Sequence, residues 1–394
     1  MSTFTFETTS RVICEVDGAL RLGALCRELN AERVLLVSDP GLLRAGLLEA
    51  PLQALRDSGV EVTLYSDVQA DPPEASVQDA VAAGHNCQAQ AVIGLGGGSS
   101  LDTAKLVALL CGQEQALADI YGINLAKGPR LPLIQVPTTA GTGSEVTAVA
   151  IVTTPSHEKK GVVSPLLYPD IALLDARLTV GLPASVTAMT GVDAMVHAIE
   201  AYTSVHKKNV LSDGLALRAL RLLGGNLDRV LAVPGDLQAR SDMLLGSMLA
   251  GMAFANAPVA AVHALAYPLG GHFHVPHGLS NALVLVPVLN FNRSAAESLY
   301  AQLAPAVLPG QRFTRQAEAC DAFIEFMTRL VERMPFAQSL NEVGVTEQNL
   351  DRLSDDAMKV ERLLINNPRP LRWQDARDIY ASVLLARPRY RSPS

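Results

Sequence analysis

Asp193 and His197 stand four residues apart in Gly191-Val192-Asp193-Ala194-Met195-Val196-His197-Ala198-Ile199-Glu200, a segment otherwise apolar or small. If the segment is helical, both side chains leave one face of it. A carboxylate and an imidazole buried on an apolar face are costly unless partnered, and one divalent cation satisfies both. Four further histidines, His263, His272, His274 and His277, fall in one short stretch downstream. A lone histidine in such a setting is ordinarily a core residue with its hydrogen bonds met, so the argument rests on the constellation. One carboxylate and up to three imidazoles suit Fe(II) or Zn(II), with no thiolate in the group and too few oxygens for calcium.

A second set of residues suits an anionic cofactor. Strand-like Ala91-Val92-Ile93-Gly94-Leu95 runs into Gly96-Gly97-Gly98-Ser99-Ser100 and then into a helix-like segment opening Leu101-Asp102-Thr103-Ala104-Lys105. Glycines let the backbone approach phosphate oxygens, and the free N–H groups of a helix start attract them. The loop is neither GxGxxG nor a Walker sequence, so a dinucleotide is expected and phosphoryl transfer is not. Taken alone, such a turn is as readily a tight connection. After the strand-like Leu133-Ile134-Gln135-Val136, the loop Pro137-Thr138-Thr139-Ala140-Gly141-Thr142-Gly143-Ser144-Glu145 offers hydroxyls where open α/β sheets hold ligands. Asp39, after the first strong strand, could accept from ribose hydroxyls and repel a 2′-phosphate, which favours NAD(H) over NADP(H). The same residue sits in Ser38-Asp39-Pro40-Gly41, a sequence any turn would welcome.

These groups need elements to hold them. From Arg33 to about Leu174, β-branched runs alternate with amphipathic stretches, the pattern of a parallel sheet flanked by helices. After Leu182 long Ala/Leu-rich segments take over, among them Leu211 to Leu223, Gln238 to Ala253 and Arg315 to Met334, and the second half is expected to be nearly all helix. The punctuation at Gly181-Leu182-Pro183-Ala184-Ser185 divides the chain into an α/β cofactor-binding domain, 1–182, and an all-α metal-binding domain, 183–394. The tail from Arg387 to Ser394 reads as a polar terminus that frays.

Composition narrows the partners. With 394 residues, 49% of them hydrophobic, and a net charge of −7, the chain can bury large cores and has no basic stretch for a nucleic acid or an anionic bilayer. Five scattered cysteines without CxxC spacing, no signal-like N-terminus and no long apolar run point to a reduced, cytoplasmic setting.

Taken in order, Gly96-Gly97-Gly98-Ser99 with Asp102 and Lys105, the Pro137–Glu145 loop, Gly191–Glu200 and His263 through His277-Gly278 resemble the iron-containing (group III) alcohol dehydrogenase family over nearly the whole length. The resemblance implies a dehydroquinate synthase-like fold: an α/β dinucleotide-binding domain, an all-helical domain, and a metal in the cleft bound by Asp193, His197, His263 and His277. It implies that His272 and His274 are not ligands, and it implies a homodimer. Some members carry a histidine four positions after the ligand that corresponds to His263, where this chain has Tyr267, so a histidine proton relay at that position does not carry over. Tyr267 could donate a hydrogen bond there, although its ordinary acidity is poorly matched to proton transfer near neutrality.

The expected activity is metal-assisted hydride transfer between NAD(H) and a small primary alcohol or aldehyde. Zinc-dependent polyol dehydrogenases of the same fold are one alternative. A maleylacetate reductase-like enzyme is another, disfavoured by the retained Asp193, and a sensor that binds without catalysis is a third.

Overall fold

The protein is described by a computed structural model covering residues 3–156 and 158–385; the tail read from the sequence lies outside the described residues. Among the described residues nine strands occupy the first half: β1 Arg11–Cys14, β2 Arg33–Val37, β3 Glu61–Tyr65, β4 Ala91–Gly96, β5 Gly122–Ile123, β6 Leu133–Pro137, β7 Val149–Thr153, β8 Lys159–Val163 and β9 Ile171–Leu174. Between them lie helices α1 Leu22–Glu28, α2 Pro40–Arg44, α3 Glu49–Asp57, α4 Glu74–Asn86 and α5 Gly98–Leu110. The second half is helical: α6 Ala184–Thr203, α7 Val210–Ala232, α8 Leu237–Asn256, α9 Ala261–Phe273, α10 His277–Val307, α11 Gln316–Glu332, α12 Leu350–Met358, α13 Glu361–Leu364 and α14 Trp373–Ser382. Among the described residues no strand follows β9.

Six strands form a parallel sheet in the order β1-β9-β6-β4-β2-β3. β2 leads to β3 on one side, whereas β4 leads to β6 on the other. The strand order therefore reverses between β2 and β4, and their carboxyl ends open a crevice, the usual ligand position in such sheets. β4 and β6 are buried along their whole length, which is why they read as continuous apolar runs.

Two features depart from a uniformly parallel reading of Arg33 to Leu174. β7 and β8 pair antiparallel, and with β5 they make a separate three-stranded sheet. An edge of the main sheet comes from β1, before Arg33, whose residues are mostly exposed and so lack the apolar signature of its neighbours.

In the helical half α6 lies at the centre, packed by α7, α8 and α10, with fifteen of its twenty residues buried. That burial explains why α6 is apolar nearly all round, and why the polar exceptions on it need partners. No single described helix is long and apolar enough to cross a membrane.

Candidate metal centre and cofactor crevice

Asp193, His197 and Glu200 recur on α6 at spacings of four and three and so share a face. His263 comes from the first turn of α9 and His277 from the first residue of α10. The three helices bring one ligand atom from each of Asp193, His197, His263 and His277 within 4.8 Å of one another. Close approach is built in at Gly278, where a Cβ would stand 2.6 Å from the Met189 carbonyl oxygen, so α10 can start directly against α6.

The imidazoles are oriented from outside. His197 donates from Nδ1 to the Gly141 carbonyl at 3.1 Å. The Glu200 carboxylate accepts a hydrogen bond from His263 Nδ1 at 2.6 Å and another from the Val262 backbone N–H, also at 2.6 Å. Both rings therefore carry their proton on Nδ1 and turn an Nε2 lone pair inward, the tautomer a cation needs. Burial, opposed by Asp193, pushes His197 down to about 3 and His277 below its ordinary value, which keeps both rings neutral. Burial alone would raise Asp193. The surrounding imidazoles and the Asn281 amide outweigh it and hold the carboxyl below the usual range. A carboxylate and three imidazoles, nearly all buried and converging, form a donor set that fits a divalent transition metal.

Two partners here, Glu200 and Asn281, have no assignment in the sequence analysis. Asn281 donates to Asp193 Oδ1 at 2.6 Å and lies 3.2 Å from Nε2 of both His263 and His277. Each sits at helical spacing from a ligand, Glu200 three residues after His197 and Asn281 four after His277, and that spacing is the signal that could have found them. Phe254 stacks on His197, centroids 4.3 Å apart, and gives the centre an apolar wall.

Tyr267 lies one turn after His263, its ring 6.1 Å from that of His277. Like Phe254, it packs against the small cluster of Val259, Ala264 and Leu363. Burial raises its hydroxyl pKa against the pull of Arg362, moving it further from neutrality. His272 pairs with Asp356 on α12 at 2.6 Å, and His274 ends α9 in the left-handed conformation, so neither belongs to the cluster.

The glycine loop joins β4 to α5 at the crevice, with Gly96 closing the strand, Gly97 as helix cap and Gly98 opening the helix. Gly97, Gly98, Ser99, Thr139 and Thr142 are partly exposed along it. A Cβ on Gly98 would meet Thr142 Cγ2 at 2.8 Å, so the two loops abut. Thr138 is buried and its hydroxyl has no partner. Asp102 and Ser144 are turned toward each other, Ser144 Oγ donating at 2.6 Å, while the other Asp102 oxygen accepts from Ile151 N; this pair braces the loops. Behind it Lys105 is fully buried, donating to Thr147 Oγ1 and to the Val149 carbonyl. Asp39 caps α2 through Oδ1, which accepts from Gly41 N and Leu42 N, and its Oδ2 lies 3.4 Å from Ser100 Oγ beside the glycine loop. It is thus a turn residue placed at the crevice.

An α/β half with a glycine loop at its strand switch, joined through Gly141 to a buried carboxylate-and-imidazole centre, could hold a dinucleotide and a divalent metal side by side. The model of the iron-containing alcohol dehydrogenase family matches residues 9–176, and the C-terminal model of the same family matches residues 187–384. Long-chain-alcohol dehydrogenase 1 of Geobacillus thermodenitrificans is 41% identical over 360 residues, 91% of each chain. A crystal structure of 1,3-propanediol oxidoreductase superposes with a TM-score of 0.93 at 33% identity, covering 97% of this chain and all of that one. That of sulfoacetaldehyde reductase from Bifidobacterium kashiwanohense, in complex with NAD+, gives 0.88 at 25% identity over 97% and 99%. The chain belongs to the iron-containing alcohol dehydrogenase family and is an oxidoreductase of that family.

Proposed function

We propose that the protein is a metal-dependent, NAD(H)-linked dehydrogenase for small primary alcohols and aldehydes, with Asp193, His197, His263 and His277 as metal ligands. The observation that carries this is the convergence of those four ligand atoms within 4.8 Å, next to a loop that ends at the cofactor crevice. A divalent ion held there would supply Lewis acidity to the substrate oxygen.

The chain supplies everything else. Gly97, Gly98 and Ser99 present backbone N–H groups at the start of α5 for the pyrophosphate, and the hydroxyls of Thr138, Thr139 and Thr142 line the neighbouring loop. Asp39 Oδ2 lies at the end of β2, where a carboxylate accepts from ribose hydroxyls and disfavours a 2′-phosphate; this supports NAD(H) over NADP(H). Glu200 and Gly141 fix the rings of His263 and His197. Phe254 and Tyr267 form an apolar wall that suits an alkyl chain and limits water. The relatives named for long-chain alcohols and for 1,3-propanediol support a primary alcohol or aldehyde substrate. Five free thiols support a reducing, intracellular setting.

The test is NADH oxidation with a panel of short aldehydes by protein stripped of metal and reloaded with Fe(II) or Zn(II). Turnover should require the ion and be lost in Asp193→Ala and His263→Ala. The ion's share is several kcal/mol, so each loss should be about a thousandfold or more. A metal-free Asp193→Ala variant with wild-type turnover would overturn the proposal.

A further inference from the structure

Two of the four ligands, His197 and His263, are held from outside the centre. Gly141 and Glu200 touch His197 and His263 on Nδ1, the nitrogen that faces away from the centre. Asn281 differs: its amide nitrogen reaches Asp193 Oδ1 at 2.6 Å and the inward Nε2 atoms of His263 and His277, each at 3.2 Å. Three ligands from three helices thus meet at one amide. Its own helix, α10, starts at His277, so Asn281 sits one turn further on the same face.

The amide has two N–H groups and three acceptors on this side, while its Oδ1, fully buried, has no hydrogen-bond partner. A buried orphan oxygen costs about 1–3 kcal/mol, so the far side does not set the orientation. The near side does. Reversing the amide would press its oxygen against the Asp193 carboxylate oxygen and the His263 Nε2 lone pair, both electron-rich. The same repulsion acts among the four ligand atoms themselves, packed within 4.8 Å in a buried pocket, and a partly positive N–H₂ is the group that relieves it.

We propose that Asn281 is a positioning residue of the metal centre, whose amide holds the ligands of three helices together before the ion enters and pins one oxygen of Asp193 once it has. The inference rests on the metal-centre reading above. A bound ion would engage the imidazole Nε2 atoms, and the donation to Asp193 Oδ1 would remain to the amide. Groups that orient a ligand in this way commonly tune metal affinity by 10–100-fold.

The experiment is titration of the full-length apoprotein with Co(II) against a competing chelator, with the Co(II) absorption spectrum recorded at saturation, for wild type, Asn281→Leu, Asn281→Ala and Asn281→Ser. Leu keeps the bulk of Asn without its N–H groups, whereas Ser is small but retains a donor. The expected result is binding weakened 10–100-fold in Leu and Ala, with a shifted spectrum, and partial recovery in Ser. NADH binding, followed by fluorescence, should be unchanged in all three and reports that each variant is folded. If Leu does not fold, the comparison of Ser with Ala carries the test alone. Affinities within about twofold of wild type and an unchanged spectrum overturn the inference, as does a Ser variant no better than Ala. Wild-type protein that takes up no Co(II) sinks the metal-centre reading itself and this inference with it.

Discussion

The carbonyl of Gly141, in the loop after β6, accepts a hydrogen bond from Nδ1 of His197 on α6 at 3.1 Å, so a backbone atom of the cofactor side sets the ring of a candidate metal ligand. The contact fixes the tautomer and couples the position of the loop to that of the centre. A Cβ at Gly141 would lie 2.7 Å from Thr190 Cβ and 3.0 Å from the Thr190 carbonyl oxygen, so no larger residue fits without moving the loop. Gly141→Ala is therefore expected to weaken metal retention and NADH binding together. Elemental analysis after dialysis and fluorescence titration with NADH check this; loss of one without the other would show that the two sites are uncoupled.

Glu200→Gln keeps size but replaces a carboxylate that accepts from both His263 Nδ1 and Val262 N. Second partners of metal-bound histidines change affinity by about 10–100-fold. Weakened metal binding of that size is expected, with kcat recovering at saturating metal. Chelator competition and turnover against metal concentration measure the two effects separately.

At the crevice, Asp39→Gly removes the charge beside the glycine loop and the cap of α2. Discrimination between NAD and NADP should relax, read as the ratio of the two kcat/KM values. Loss of the cap should cost about 1 kcal/mol or less in stability. An unchanged cofactor ratio would leave Asp39 with its capping role alone.

Glu145 is buried beside Lys105, and burial raises its carboxyl from an ordinary 4.5 to about 7. Between those values the folded chain keeps a proton that the unfolded chain has released. Its contribution is thus complete below about pH 4.5 and lost as pH rises to 7, a change of about 3 kcal/mol. Glu145→Gln should remove this slope, and denaturant unfolding of both proteins from pH 5 to 8 should show the variant gaining relative to wild type. Parallel curves would mean that Glu145 is charged throughout.

Much of this was legible in the sequence because the signals are local. β2, β3, β4 and β6 are short apolar runs, and the long helices of the second half show apolar residues at helical spacing. The Asp193/His197 pair sits on one α6 face at i and i+4. β1 and the β7–β8 hairpin were not legible: one is an exposed edge, and the hairpin's pairing direction is set by contacts far from its residues. Spacing alone could not separate His263 and His277 from His272 and His274. That choice depends on where α9 ends, at the left-handed His274, and on α10 beginning at His277 against Met189. The Asp102–Ser144 brace and the Gly141–His197 contact join residues 42 and 56 positions apart. No periodicity reports such pairs.

The most direct measurement is anomalous scattering at the iron and zinc edges from crystals of the metal-loaded protein soaked with NAD(H). One peak within coordination distance of Asp193, His197, His263 and His277, facing the nicotinamide, is the predicted result. A catalytically active crystal with its only metal peak elsewhere, or with none, would contradict it.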